Sequence, residues 1–467
     1  MLKKTKIICT QGPATDKPGV VEALIENGMN CARFNFSHGN HEEHLRRIRR
    51  VREAAKKPIA LILDTKGPEM RLGEFRDGCV MLEKGQEFIL TYDDAPGDET
   101  RVSVNHKGLY TEVKPGDRLL LSDGLVELSV KAVQGKDILT IVQNSGKMSN
   151  RKRVAAPGIT LGLPPISEQD EKDIIFGIEN DMDFVAASFI QRASDVEAIR
   201  ALIKEYGGHM EIIPKIENLA GVKNFDDILA VSDGIMVARG DLGVEVPAEE
   251  VPLIQKEIIA KCNEAGKPVI VATQMLESMT TNPRPTRAEV SDVSNAILDG
   301  TDAIMLSGET ANGDYPVEAV ATMNRIALRT ENSLHYRQIL MTQGFHQLES
   351  KTKVIAHAAV QMAYELDASA IITPTKSGYT ASLVSQYRPK ASIIAFVPNK
   401  QIARHISLRW GVYAIHGDNW ESIPEMVEKS TKSAQAYGFV KKGDLTIINS
   451  GIKPVKGSTS SIIVYTI

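Results

Sequence analysis

Short apolar runs rich in Ile and Val alternate with amphipathic stretches over residues 5–65 and again over 166–332. This alternation predicts repeated β-α units around a parallel sheet. In the first block the runs place strands near 5–10, 30–36 and 59–65, with helices near 18–27 and 41–56 between them. The second block places strands near 183–190, 211–217, 234–239, 269–275 and 302–307, each followed by a helical pattern. Three and five strands make eight, the number that closes a (β/α)8 barrel.

Residues 69–165 break the pattern. Their strand-like runs, at 88–91, 118–121, 126–130 and 138–142, are separated by Gly, Asp and Pro turns and show little helical periodicity. That predicts a small all-β domain inserted after the third barrel strand. The alternation resumes from about 350, with runs at 370–373, 392–396, 411–415, 445–449 and 461–466, long enough for a C-terminal α/β sheet domain. The expected division is 1–68 and 166–332 for the barrel, 69–165 for the insert and 333–467 for the last domain, with the join falling near 330–348.

Composition narrows the function classes. With 42% apolar and 24% charged residues the chain can bury a large core. The net charge of −4 provides no field to hold nucleic acid or an anionic membrane, so an anionic ligand must meet local charge. Cys9, Cys31, Cys79 and Cys262 are widely spaced and form no C-x-x-C pair, which points to reduced thiols in a cytoplasmic protein. The basic start, Met1-Leu2-Lys3-Lys4, leads into an apolar run of 7–9 only, too short for a signal peptide. The basic run from Arg46 to Lys57 is interleaved with Leu45, Ile48 and Val51 at helical spacing, beginning just before it, which makes it a barrel helix with a charged outer face.

Chemistry in parallel barrels collects at the carboxyl ends of the strands. The second strand ends Arg33-Phe34-Asn35-Phe36-Ser37-His38, where alternation puts Arg33, Asn35 and Ser37 on one face. The third ends Asp64-Thr65-Lys66-Gly67-Pro68-Glu69, the fifth Lys215-Ile216-Glu217, the sixth Arg239-Gly240-Asp241, and the seventh Thr273-Gln274. Glu217 and Asp241 on adjacent strand ends suit a hard divalent cation, which takes one or two protein carboxylates and fills its shell with water and substrate oxygens. A salt-bridged ring closing the barrel mouth is the alternative. The chain has no G-x-x-x-x-G-K-[ST] and no G-x-G-x-x-G, so a nucleotide must be gripped by cationic side chains and metal.

Six segments, CARFNFSHG (31–39), LDTKGPEMR (63–71), IPKIEN (213–218), MVARGDLGVE (236–245), ATQMLESM (272–279) and MLSGETANGDY (305–315), resemble the motifs of pyruvate kinases in the family's order. The resemblance implies a TIM barrel with an inserted β lid and a C-terminal domain, a cytoplasmic homotetramer, and phosphoryl transfer from phosphoenolpyruvate to ADP, giving pyruvate and ATP. It implies that Arg33, Lys215 and Thr273 are catalytic, Lys215 by stabilising charge in the transition state. Arg33, Lys215, Gly240, Asp241 and Thr273 would bind phosphoenolpyruvate, with Thr273 or a water relay on the path of the proton to the enolate. Glu217 and Asp241 would hold Mg²⁺ or Mn²⁺, and Asn35, Ser37, Asp64 and Thr65 would hold K⁺. Asn35, Phe36, Ser37, His38, Arg71 and Lys152 would meet the nucleotide.

Glu69 stands where the family divides between glutamate, with dependence on a monovalent cation, and lysine, with a built-in charge; K⁺ dependence is therefore implied. In the last domain Thr375, Lys376, Ser377, Gly378 and Thr380 form a strand-to-helix turn of hydroxyls, an ammonium and backbone N–H groups suited to a phosphate. That turn resembles the family's effector loop, for a sugar phosphate or a nucleotide. The chain also departs from the family. Arg153-Val154-Ala155-Ala156-Pro157-Gly158 stands where Gly-Val-Asn-Leu-Pro-Gly is common, and Thr10-Gln11-Gly12-Pro13-Ala14-Thr15 where Thr-Ile-Gly-Pro-Ala-Ser is. Two rivals stay open: a catalytically idle relative that only binds a sugar phosphate, and another Mg²⁺-dependent barrel enzyme that handles an enolate.

Overall fold

In the computed structural model, which describes residues 2–344, 350–451 and 459–467, eight parallel strands close into a barrel. They are Lys6–Thr10, Met29–Asn35, Ala60–Asp64, Phe184–Ala187, Glu211–Ile216, Ile235–Ala238, Val269–Ala272 and Ala303–Leu306, each paired with the next and the last with the first. The strands are apolar on both faces because both are covered. Ile8, Ile62, Ile213 and Ile270 fill the inside, while Ile7, Leu61, Leu63 and Val271 pack outward against the helices. The fold is therefore an α/β TIM-type barrel with further sheets and a C-terminal α/β domain.

The helix His41–Ala54 begins at Asn40, whose side chain accepts the Glu43 N–H at 3.0 Å. It buries Ile48 and Val51 as its spacing requires. Its charged face is not wholly solvated, however. Arg47 is buried and holds Asp16 with Nη2 to Oδ2 at 2.7 Å, a pairing across sequence that periodicity cannot show.

The insert forms a six-stranded sheet and a two-stranded one with their own core around Phe88, Leu119 and Val126. Cys79–Leu82, Arg101–Ser103, Gly146–Ser149 and Val154–Ala155 are strands that the hydrophobic pattern left unmarked, being short and polar-flanked. Two chain passes tie the insert to the barrel. They are zipped antiparallel: Leu72 N–H donates to the Lys152 carbonyl at 2.9 Å, Val154 N–H to the Met70 carbonyl at 2.8 Å, and Arg71 bridges Arg153.

The C-terminal sheet has the order Val412–His416, Ser392–Val397, Ala370–Pro374, Leu445–Gly451, Thr459–Thr466, with only the last strand antiparallel to its neighbour. Helices Pro316–Glu331 and Tyr336–Gly344 occupy the expected join, of which residues 345–348 lie outside the described residues. Arg388 clamps Asp302 at the foot of the last barrel strand, at 2.8 and 2.9 Å, both side chains buried. Among the described residues the four cysteines are free, with Cys79 half-buried and the rest buried, and no helix is long and apolar enough to cross a membrane.

Candidate active site

At the carboxyl end of the barrel the strand termini converge on a cleft of roughly 450 Å³. Its floor is a row of alternating charges. Arg33 Nε donates to Asp64 Oδ2 at 2.6 Å, and its Nη1 to Thr10 Oγ1 at 2.9 Å. Lys215 Nζ lies 3.1 Å from Asp64 Oδ1, 2.9 Å from Ser188 Oγ and 2.9 Å from Glu217 Oε1. Glu217 Oε2 accepts the Phe189 N–H at 2.6 Å. Each of these four charged side chains is buried, so their mutual attraction is little screened.

Burial favours neutral forms, and the row shows where pairing wins. Burial pushes Asp64 up, but Arg33 and Lys215 outweigh it and hold the carboxyl below its ordinary range. Burial pushes Lys215 down, but Asp64 and Glu217 outweigh it and keep the ammonium protonated above the usual lysine value. Glu217 goes the other way: burial, with help from the Asp241 charge, raises it to about 7 despite Lys215. A fully buried carboxylate at the end of such a row, next to a second carboxylate, gains from a divalent cation. Glu217 and Asp241 both line the cleft and fit one. Among the described residues no group of three or more His, Cys, Asp or Glu side chains is placed to hold a metal ion by itself, so an ion at Glu217 and Asp241 would take further oxygens from substrate and water.

Three residues just past the ends of barrel strands hold left-handed backbone without being glycine: Phe189 at φ 58°, Thr273 at φ 68° and Gln274 at φ 53°. For a β-branched threonine this is strained, and such strain collects at functional sites. Arg239 holds the conformation, donating from Nη2 to the Thr273 carbonyl at 2.8 Å. The Thr273 hydroxyl donates to the Ala272 carbonyl at 2.6 Å and accepts the Gly240 N–H at 2.8 Å. The helix after the sixth strand, Arg239–Glu245, takes Gly240 into its first turn, and the Gly240 N–H is held by Thr273.

Asn35, Ser37, His38 and Arg71 line the cleft, as do Lys66 and Glu69. Phe36 turns into the core, stacked on His44 at 4.2 Å between ring centroids, so only its main chain faces the site. Lys152 is not brought to the cleft. It is exposed, as is the side chain of Arg151, which lies at the rim of the cleft and pairs with Glu74 at 2.6 Å, while Arg153 reaches inward to Asp241; the left-handed backbone of Arg151, φ 56°, breaks the extended alternation here.

Asp64 and Thr65 lie behind the wall. Both oxygens of Asp64 are engaged by Arg33 and Lys215, and Thr65 accepts from Ser188 Oγ through its carbonyl at 2.6 Å. Asn35 Oδ1 accepts the Ser37 N–H at 3.1 Å. The repulsion between Glu69 and Asp64 that a bare pair of carboxylates would suffer is absent, since Glu69 is held by Arg71 at 2.6 Å and Asp64 by its two cations. Ser188 and Phe189 are not marked by the sequence reading, while Arg239 and Arg153 are, at the sixth strand end and as a departure from the family pattern, without a role. The first two end the fourth barrel strand, where the strand-end rule applied to the other strands would have found them.

In the last domain, Gly378 takes φ 77° to open the helix Tyr379–Gln386. Lys376 and Ser377 are presented outward, with Lys376 Nζ 5.7 Å from the Trp420 ring centroid. Thr375 and Thr380 are buried, the latter hydrogen-bonded to Thr459 Oγ1 at 2.8 Å. Larger grooves, of roughly 1170 and 1040 Å³, lie around the junction of barrel and last domain, but neither contains a comparable row of buried charges.

Fixed cations beside two carboxylates are groups whose chemistry suits phosphoryl oxygens and a divalent cation. Comparison with known proteins agrees. The family description "Pyruvate kinase, barrel domain" matches residues 2–320, and "Pyruvate kinase, alpha/beta domain" residues 353–465. The pyruvate kinase of Bacillus licheniformis is 51% identical over 100% of this chain and 81% of its own length. That of Clostridium acetobutylicum is 48% identical over 99% of both, and that of Staphylococcus aureus (strain MRSA252) 46% identical over 99% of this chain and 80% of its own. With both halves of the fold matched and relatives aligned along its whole length, the chain belongs to the pyruvate kinase family of phosphotransferases.

Proposed function

We propose that the chain transfers the phosphoryl group of phosphoenolpyruvate to ADP, releasing pyruvate and ATP. The observation that carries the proposal is the buried row Arg33, Asp64, Lys215 and Glu217 ending beside Asp241. The enol P–O bond breaks, a bond from phosphorus to a terminal oxygen of ADP forms, and the enolate left behind takes a proton at carbon. Arg33 grips the moving group, and Lys215, kept protonated by its two carboxylates, offsets charge as it spreads over the phosphoryl oxygens. Thr273 and the main chain of Gly240 and Asp241 receive the substrate carboxylate. Thr273 lies on the side from which the proton arrives, directly or through water.

Glu217 and Asp241 would hold Mg²⁺ or Mn²⁺, which supplies neutralising charge between donor and acceptor phosphates. Asn35 and Ser37, with Asp64 and Thr65 behind them, would hold K⁺. His38, Arg71 and the main chain of Phe36 face the nucleotide. The enzyme works in the cytoplasm as a homotetramer, and a phosphorylated metabolite bound at Lys376, Ser377 and the N–H groups after Gly378 favours its active arrangement.

Pyruvate release from phosphoenolpyruvate, followed by a coupled dehydrogenase with and without ADP, tests the reaction. Release that ignores ADP fits an enolate-handling lyase instead, and no release at all fits an idle relative. Replacing K⁺ by tetramethylammonium should abolish most activity, and Glu69→Lys should restore part of it. Full activity without K⁺ overturns that assignment.

A further inference from the structure

Arg153 is a departure from the family pattern, and the structure gives it a place in the site. Its main chain belongs to the lid: its carbonyl accepts the Ser122 N–H at 2.9 Å, and its neighbours on either side are zipped to residues 70 and 72. Its side chain leaves the lid and enters the barrel mouth, where only 11% of it is exposed. There the guanidinium hydrogen-bonds Asp241 Oδ1 through Nη1 and lies 4.7 Å from the Phe189 ring centroid. Phe189 in turn donates its strained N–H to Glu217. One arginine therefore touches one of the two cation-binding carboxylates directly and the other through a single residue. The remaining acids around it are Glu69 and Glu245, with Asp123 at 3.9 Å.

We infer that Arg153 is the resident cation of the divalent site in the substrate-free enzyme, and that loading the metal ion must lift its guanidinium from Asp241. Two cations in contact with one carboxylate repel each other strongly in a poorly hydrated cleft. The guanidinium is carried on main chain zipped to residues 70 and 72, so its release from Asp241 removes a tie between the hinge of the lid and the barrel mouth and couples metal loading to that hinge. Released, the same guanidinium hangs over the cleft as a further donor for phosphate oxygens. The inference rests on the reading that Glu217 and Asp241 hold the divalent ion, and the experiment separates the two.

Binding of Mn²⁺ alone to the full-length, substrate-free enzyme is measured from the electron paramagnetic resonance signal of the free ion. Arg153→Met should bind Mn²⁺ about tenfold tighter than the wild type, the scale of one partly buried charge pair removed. Arg153→Lys, which keeps a charge but loses the planar fork, should fall between them. Lys147→Met, which removes a charge from an exposed position of the same lid, should change nothing. Hydrogen exchange in segments 70–72 and 152–155 should rise when Mn²⁺ is added to the wild type. In Arg153→Met it should be high from the start and indifferent to the metal. Equal Mn²⁺ affinity in wild type and Arg153→Met, or equal tightening by Lys147→Met, overturns the inference and leaves the metal site standing. Undiminished binding by Asp241→Asn overturns the site assignment and the inference with it.

Discussion

Replacing Lys215 by Met removes the centre of the buried row while keeping its volume. Asp64 retains Arg33 at 2.6 Å. Glu217 loses its ammonium partner at 2.9 Å and keeps only the Phe189 N–H. Breaking a buried pair by deleting one partner costs about 3–5 kcal/mol when the survivor must stay charged. Here it need not, because burial has already raised Glu217 to about 7. Near neutral pH the carboxylate can take a proton at little expense, which limits the loss of stability to about 1–2 kcal/mol. Catalysis has no such escape, since a neutral Met cannot meet charge spreading over the phosphoryl group. Loss of one preorganised donor of this kind lowers kcat by about 10²–10³-fold. Steady-state pyruvate release at saturating substrates, run beside a urea melt, reads both quantities. Intact kcat with a raised KM would show that Lys215 binds ground state and transition state alike, and the transition-state role would have to be abandoned.

Thr273→Val keeps the shape but removes the hydroxyl held to Gly240, and kcat should fall by at least about tenfold while Thr273→Ser stays near wild type; equal rates for the two would exclude the hydroxyl. In the last domain Lys376→Ala with Ser377→Ala should abolish the response to a sugar-phosphate activator and leave the maximal velocity unchanged. The buried Thr375 and Thr380 are poor targets, since their loss disturbs packing. Arg388→Met strands Asp302 at the junction of barrel and last domain and should destabilise the chain by about 3–5 kcal/mol; an unshifted urea midpoint would show that the pair is not worth its burial.

Where function depends on which strand end a residue occupies, the sequence was readable, because period-two alternation and apolar runs locate the barrel strand ends to within three residues. Arg33, Lys215, Glu217, Asp241 and Thr273 meet in one cleft for that reason. The hinge was not legible in this way, because the left-handed backbone of Arg151, φ 56°, breaks the alternation just before Lys152 and Arg153. Charges that are neutralised across long separations were not legible. Lys4, part of an apparently solvated basic start, is fully buried. Its N–H and that of Thr5 are held by Glu331 at 2.8 and 2.6 Å, and its ammonium lies against Tyr336 and Trp410. Nothing local to residues 2–6 announces partners on distant helices. The strain at Phe189 is likewise imposed by tertiary context, against the preference of the residue itself.

The third and fourth barrel strands are hydrogen-bonded neighbours although the whole lid lies between them in sequence. Their pairing therefore closes a loop on the order of a hundred residues. Had the lid been slack chain, that closure would cost roughly 2 kcal/mol more than closing a loop of about ten. The antiparallel zipper at 70–72 and 152–154 pins the two ends of the lid together once it has folded on its own core around Phe88. A prefolded lid would thus hand the barrel a short connection, and the expected order of assembly is lid before ring closure. Damage to the lid core should then appear as slow refolding of the barrel, in a region of the molecule the damaged side chain never touches.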